Sequence, residues 1–182
     1  MRACAELHRR LAEQSGLIEQ AASRLADVLR AGGTVYVMGN GGSAADAQHM
    51  AGELVGRFMM ERRALPCVAL TTDTSIMTSV ANDYGFGSVF VRQVEALVKE
   101  GDAVIGISTS GNSANVNAAV DEAHRRGALT VGLTGKAGGA LAPKCELAVV
   151  VPSDVTPRIQ EAHATIIHIL CGLVEQDVCG GK

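Results

Sequence analysis

A chain of 182 residues with 47% apolar and 19% charged side chains has the material for one domain with a sizeable core, and it lacks the polar excess of a disordered segment. A net charge of −3, no basic run, no Trp and only two Tyr and three Phe argue against a stacking platform for nucleic acid. No apolar run approaches the roughly 20 residues of a membrane span.

Residues 5–31 predict a helix, with Leu7, Leu11, Ile18, Leu25 and Val28 on a 4/3 spacing. Gly16 weakens its middle, and Gly32-Gly33 ends it. Its apolar stripe suits either its own domain or a neighbouring subunit. A mean hydropathy of +0.19 is high for a monomer and favours some subunit interface. Short apolar runs then predict strands at 34–38, 66–70, 103–107, 129–133 and 146–151. Between them lie helical segments at 43–60, 74–81, 86–99 and 113–126, with a last one at 157–178. The 134–145 connection carries Gly-Gly and Pro and has room for a short helix at most. Strands alternating with helices define an α/β fold, a doubly wound five-stranded parallel sheet flanked by helices, as a single domain over 1–182. The polar start "MRACAELHRRLAEQSG" does not resemble a secretory signal. Five scattered cysteines without a CxxC pair read as free thiols, so a cytoplasmic protein is expected.

Ligands of such sheets sit beyond the carboxyl ends of the strands, where this chain places "GNGGSAAD", "TTDTS", "STSGNSANV" and "TGKAGG". The first is not a P-loop, since no Gly-Lys-Ser/Thr follows. Nor is it G-x-G-x-x-G, since Ala44 stands at the third glycine. Its glycines admit close backbone approach, and Ser43 with the first helix amides offers donors; an ordinary βα turn is the alternative. "STSGNS" is more specific. Ser108, Thr109, Ser110 and Ser113 set four hydroxyls in six residues at a helix N-terminus, where capping alone needs one or two. A phosphate monoester fits there without Lys or Arg.

His49 and Glu53 share one helix face at i, i+4, which alone reads as a surface pair. The last helix begins "TPRIQEAH", with Thr156 as the expected cap and Pro157 in its first turn. It is apolar nearly all round, so His168 among its isoleucines is expected to be buried, as a core histidine with a hydrogen-bond partner or as a ligand.

"GNGGSAADAQH", "ANDYGF", "ISTSGNSANV" and "RIQEAH…IIH" together resemble the sedoheptulose 7-phosphate isomerase (phosphoheptose isomerase) family of the sugar isomerase (SIS) fold, from about residue 34 to 175. The resemblance implies an aldose–ketose isomerisation of sedoheptulose 7-phosphate to D-glycero-D-manno-heptose 7-phosphate, the first step toward the heptose of bacterial envelope glycans. It implies substrate contacts from Asn40, Gly41, Gly42, Glu53, Asn82, Asp83 and Gln160, and from Ser108, Thr109, Ser110 and Ser113 at the phosphate. Glu53 would be the general base and His168 the general acid. His49, Glu53, Gln160 and His168 match the family's zinc ligands, one Zn²⁺ per subunit. The family's members are homotetramers with sites near subunit interfaces, which would place the helix of 1–31 at an interface.

The chemistry is self-consistent. One carboxylate can carry a proton between neighbouring carbons through a cis-enediol, a second group serves the oxygens, and a zinc ion would stabilise the charge that develops. Two tensions follow. Gln160 and His168 are eight residues apart, about 12 Å of helix rise, so one metal takes both only if the helix is irregular or different subunits supply them. A carboxylate held tightly by zinc is also a poorer base. Two other readings stand beside this one. A fold relative is a protein-binding adaptor that associates with the bacterial replication initiator, but it lacks the catalytic residue types that this chain keeps at Glu53 and His168. An isomerase of another sugar phosphate has the same chemistry.

Overall fold

The structure is a computed structural model and describes residues 1–181. Among the described residues seven α-helices and five strands follow one another: α1 (Arg2–Leu11), α2 (Ser15–Arg30), β1 (Val35–Gly39), α3 (Gly42–Val55), β2 (Cys67–Ala69), α4 (Thr74–Tyr84), α5 (Val91–Leu97), β3 (Ala103–Ser108), α6 (Ala114–Arg125), β4 (Leu129–Gly135), β5 (Leu147–Val151) and α7 (Thr156–Cys179). All strands are parallel, in the order β2-β1-β3-β4-β5, so the strand order reverses between β1 and β3. That reversal opens a crevice above their carboxyl ends.

β1, β3 and β4 are buried at every residue because helices cover both faces. The period-2 alternation divides the core in two. Val35, Val37, Ile105 and Val131 face the layer of α1, α2, α3 and α7. Tyr36, Met38 and Val104 face the layer of α5 and α6.

Four local expectations are corrected. The N-terminal helix is interrupted by a 3₁₀ turn at Ala12–Gln14. There Gln14 lays its amide on the open edge of β5, donating to Val150 O at 2.7 Å and accepting from Val150 N at 3.3 Å. The stripe of Leu7, Leu11, Ile18 and Leu25 is buried inside this chain's own core. α3 stops at Val55, and residues 56–66 are irregular. Val155, not Thr156, precedes the first turn of α7, and no side chain caps it. Finally, the 86–99 segment divides into a 3₁₀ turn at Phe86–Ser88 and α5.

Candidate active site

The β1 and β3 loops flank the crevice. Gly41, at φ 56°, takes the backbone into α3 through a conformation that costs glycine little. Asn40 then exchanges two hydrogen bonds with Asn115 of α6, each 2.9 Å, which ties the two loops together. Asn115 is 3% exposed and also accepts from Val116 N. Its side chain is absent from the expected contacts, although it lies in the "SANV" of the serine motif. In that motif Ser108 and Ser113 hydroxyls meet at 2.9 Å, and Ser110 accepts from Asn112 N at 3.1 Å. Gly111, at φ 67°, passes so close to Gly138 O that any Cβ would clash. Ser113 precedes α6 without a side-chain cap bond among the described residues, its hydroxyl being turned to Ser108 instead of the helix amides.

On the next part of α3 and α7 a second group forms. His49 Nε2 and His168 Nε2 lie 2.7 Å apart with the rings edge to face, and Glu53 Oε1 is 3.5 Å from His49 Nε2. Phe58 stacks on His168, with ring centroids 5.6 Å apart and 28° between planes. His168 is exposed, which corrects its expected burial; α7 buries one stripe, Ile159, Ala162, His163, Ile166, Ile167, Leu170, Cys171 and Val174, and leaves the other open. The buried histidine is His163, whose Nε2 donates to Thr134 O at 3.1 Å while Nδ1 has no partner among the described residues. Burial pushes its pKa down to about 4 against the support of that carbonyl. One turn before His49, Asp46 has a buried, unpartnered Oδ2; burial pushes its carboxyl up, opposed by the charge of His49.

His49, Glu53 and His168 offer one ligand atom each, all within 4.8 Å of one another. Two imidazole nitrogens and a carboxylate oxygen, with an open fourth side, are the donor set of a catalytic zinc site, so these residues fit the metal. At 2.7 Å the two Nε2 atoms are satisfied by one N–H···N hydrogen bond between rings in different tautomers. Gln160 is not in this group. Its amide packs against Gly42, about two turns and 10 Å of helix rise before His49. Asn82 and Asp83, just beyond the helix expected at 74–81, occupy the last turn of α4, exposed, with Asn82 Nδ2 donating to Asp83 at 2.7 Å.

A model of the SIS domain matches residues 1–135, which sets the class of the protein. The phosphoheptose isomerase of Geobacter sp. strain M21 is 58% identical over 166 residues, 91% of this chain and 86% of that protein. That of Geobacter metallireducens is 63% identical over 155 residues, 85% and 82% of the two chains. Among solved structures, the phosphoheptose isomerase from Neisseria gonorrhoeae has a TM-score of 0.91 at 42% identity, and the one from Francisella tularensis 0.93 at 40%, each covering 96% of this chain and 94% of its own. The chain belongs to the phosphoheptose isomerase family.

Proposed function

We propose that the protein converts sedoheptulose 7-phosphate to D-glycero-D-manno-heptose 7-phosphate, in the cytoplasm, as the first step toward the heptose of envelope glycans. The observation that carries this is the convergence of His49, Glu53 and His168 in a chain of this family. Glu53 takes the proton from C1 of the ketose and returns it to C2, and His168 donates to O2 and accepts from O1. Ser108, Thr109, Ser110 and Ser113 hold the phosphate with neutral donors and the positive end of α6. Asn40, Gly41, Gly42, Asn82, Asp83 and Gln160 line the sugar. His49, Glu53 and His168 would hold a zinc ion, with Gln160 of a neighbouring subunit as the fourth ligand. Bound there, zinc supplies polarisation of the carbonyl and stabilises the negative charge of the enediolate.

A homotetramer belongs to this reading. Within one chain, Gln160 sits at the glycine loop, away from the histidines, which supports sites shared between subunits. An apolar groove of about 300 Å³ along α1, α2 and α7, lined in part by Leu11, Ile18, Ile169 and Leu173, supports close contact with another copy. Light scattering at micromolar concentration tests the tetramer, and a monomer would refute it. Incubation with sedoheptulose 7-phosphate, with and without a chelator, tests the activity. Aldose should form, and should stop forming once metal is stripped; no aldose under any metal condition would sink the proposal.

A further inference from the structure

Among the described residues, one ion pair has both side chains out of solvent: Arg62 and Glu175, 3% and 1% exposed. Such a pair is a weak source of stability, because desolvation offsets most of its attraction. What it organises is more telling. Glu175 stands two turns beyond His168 on α7. Its carboxylate accepts from three successive backbone amides, Phe58 at 3.0 Å, Met59 at 2.8 Å and Met60 at 2.9 Å, and from Arg62 Nε at 2.9 Å. Arg62 turns its other nitrogens to carbonyls at and just past the end of α3: Glu53 O at 2.9 Å, Leu54 O at 2.8 Å and Gly56 O at 3.2 Å.

The pair therefore touches both halves of the acid–base group. Arg62 holds the backbone of Glu53 itself. Glu175 fixes the turn that carries Phe58, and the Phe58 ring lies between His168 and Gly172 of α7. Phe58 packs against the core but Met59 is 78% exposed, so the apolar hold on the turn comes chiefly from that one ring. An irregular segment with few buried side chains keeps one shape only if its polar groups are pinned.

We propose that Arg62 and Glu175 are positioning residues for the isomerisation, fixing the 56–62 turn so that Phe58 braces the His168 ring toward His49 and the Glu53 end of α3 stays in place. The proposal rests on the reading of Glu53 and His168 as base and acid. A brace of this kind acts on the rate and not on substrate binding, because it orients groups without contacting sugar or phosphate.

Two variants test it. Phe58→Leu keeps every backbone amide and removes only the stack. It should lower kcat about tenfold or more with KM within about twofold of wild type. Glu175→Gln removes the negative acceptor. In metal-free protein labelled with ¹³C at the histidine rings, it should move the His168 signals, identified by their loss in His168→Gln, toward their positions in Phe58→Leu. If Glu175→Gln does not fold, Glu175→Asp, with its shorter arm, takes its place and carries the same expectation. Wild-type His168 signals in the folded Glu175 variant, whatever its melting temperature, would make the pair a structural brace alone and overturn the proposal. So would an unchanged kcat in Phe58→Leu. The ring signals need neither sugar nor metal, so an inactive wild type would end the isomerase reading while this test still gave an answer.

Discussion

The two ends of the site are built on different plans. At the crevice, the donors come from loops that are short in sequence and rigid in space: Ser108 to Ser113 span one turn, locked by the Gly111–Gly138 contact and by the Asn40–Asn115 exchange. The donors assigned there are neutral hydroxyls and amides. At the other end, His49 and His168 meet across 119 positions of sequence, on two helices whose junction is held by a buried ion pair. A ligand that only has to be gripped is served by backbone geometry. Proton transfer needs titratable side chains at defined distances, and those call for support from further away.

The sharpest way to separate the two ends is to remove the proposed base. Glu53→Gln should abolish exchange of the substrate's C1 hydrogen with solvent and lower kcat by about 10²–10⁴, while His168→Gln slows turnover and leaves some exchange. Metal content belongs in the same measurement, since both are candidate ligands. Near-normal exchange in metal-loaded Glu53→Gln would move the base elsewhere.

His163 lies on α7 between the two ends, and acid should act on it. Its folded pKa of about 4 is below the ordinary 6.5, so the unfolded chain binds the proton more readily. Stability is thus fully present above about pH 6.5 and falls as pH drops toward 4, by about 3 kcal/mol from this group. Denaturant unfolding across that window should show the slope, and His163→Gln should flatten it. The Glu175 carboxyl adds a loss at lower pH still: burial pushes it up, but the amides of residues 58–60 and Arg62 outweigh that and hold it below its ordinary value.

Smaller effects belong to the gripping end. Ser113→Ala should raise KM by about ten- to a hundredfold with kcat little changed, the worth of one charge-assisted hydrogen bond of about 1.5–3 kcal/mol. A fall in kcat at unchanged KM would contradict the phosphate role. Smallest of all, Asn115→Ala removes the tie between the loops without touching their hydroxyls, and about 1 kcal/mol of unfolding free energy is expected to go with it; an unchanged denaturation midpoint would show that the loops hold themselves.

The same contrast decided what could be read from sequence. The four hydroxyls of the serine loop can be grouped from sequence because they are neighbours in the chain, and the inner strands can be placed because burial on both faces leaves uninterrupted apolar runs. Asn115 escaped although it sits in the same motif, because its partner Asn40 is 75 positions away. The sequence runs α3 on to residue 60, past Gly56 at its C-cap, because the contacts that hold the 56–62 turn out of the helix, Arg62 and Glu175, are 113 positions apart. His168 reads as buried because an almost wholly apolar helix does not say which of its faces is inside; the face that is inside carries His163. Gln14 reads as a polar residue in a helix until β5 is placed beside it.

That last contact bears on the fate of the sheet's two borders. β2 is three residues long, too short to template another strand, whereas β5 offers a five-residue rim. By occupying Val150, the Gln14 amide acts as a stopper on the one border able to recruit a foreign strand. A chain shortened past residue 14 would lose the stopper along with Leu7 and Leu11, and its native sheet would become a seed for edge-to-edge aggregation before it became an unfolded chain.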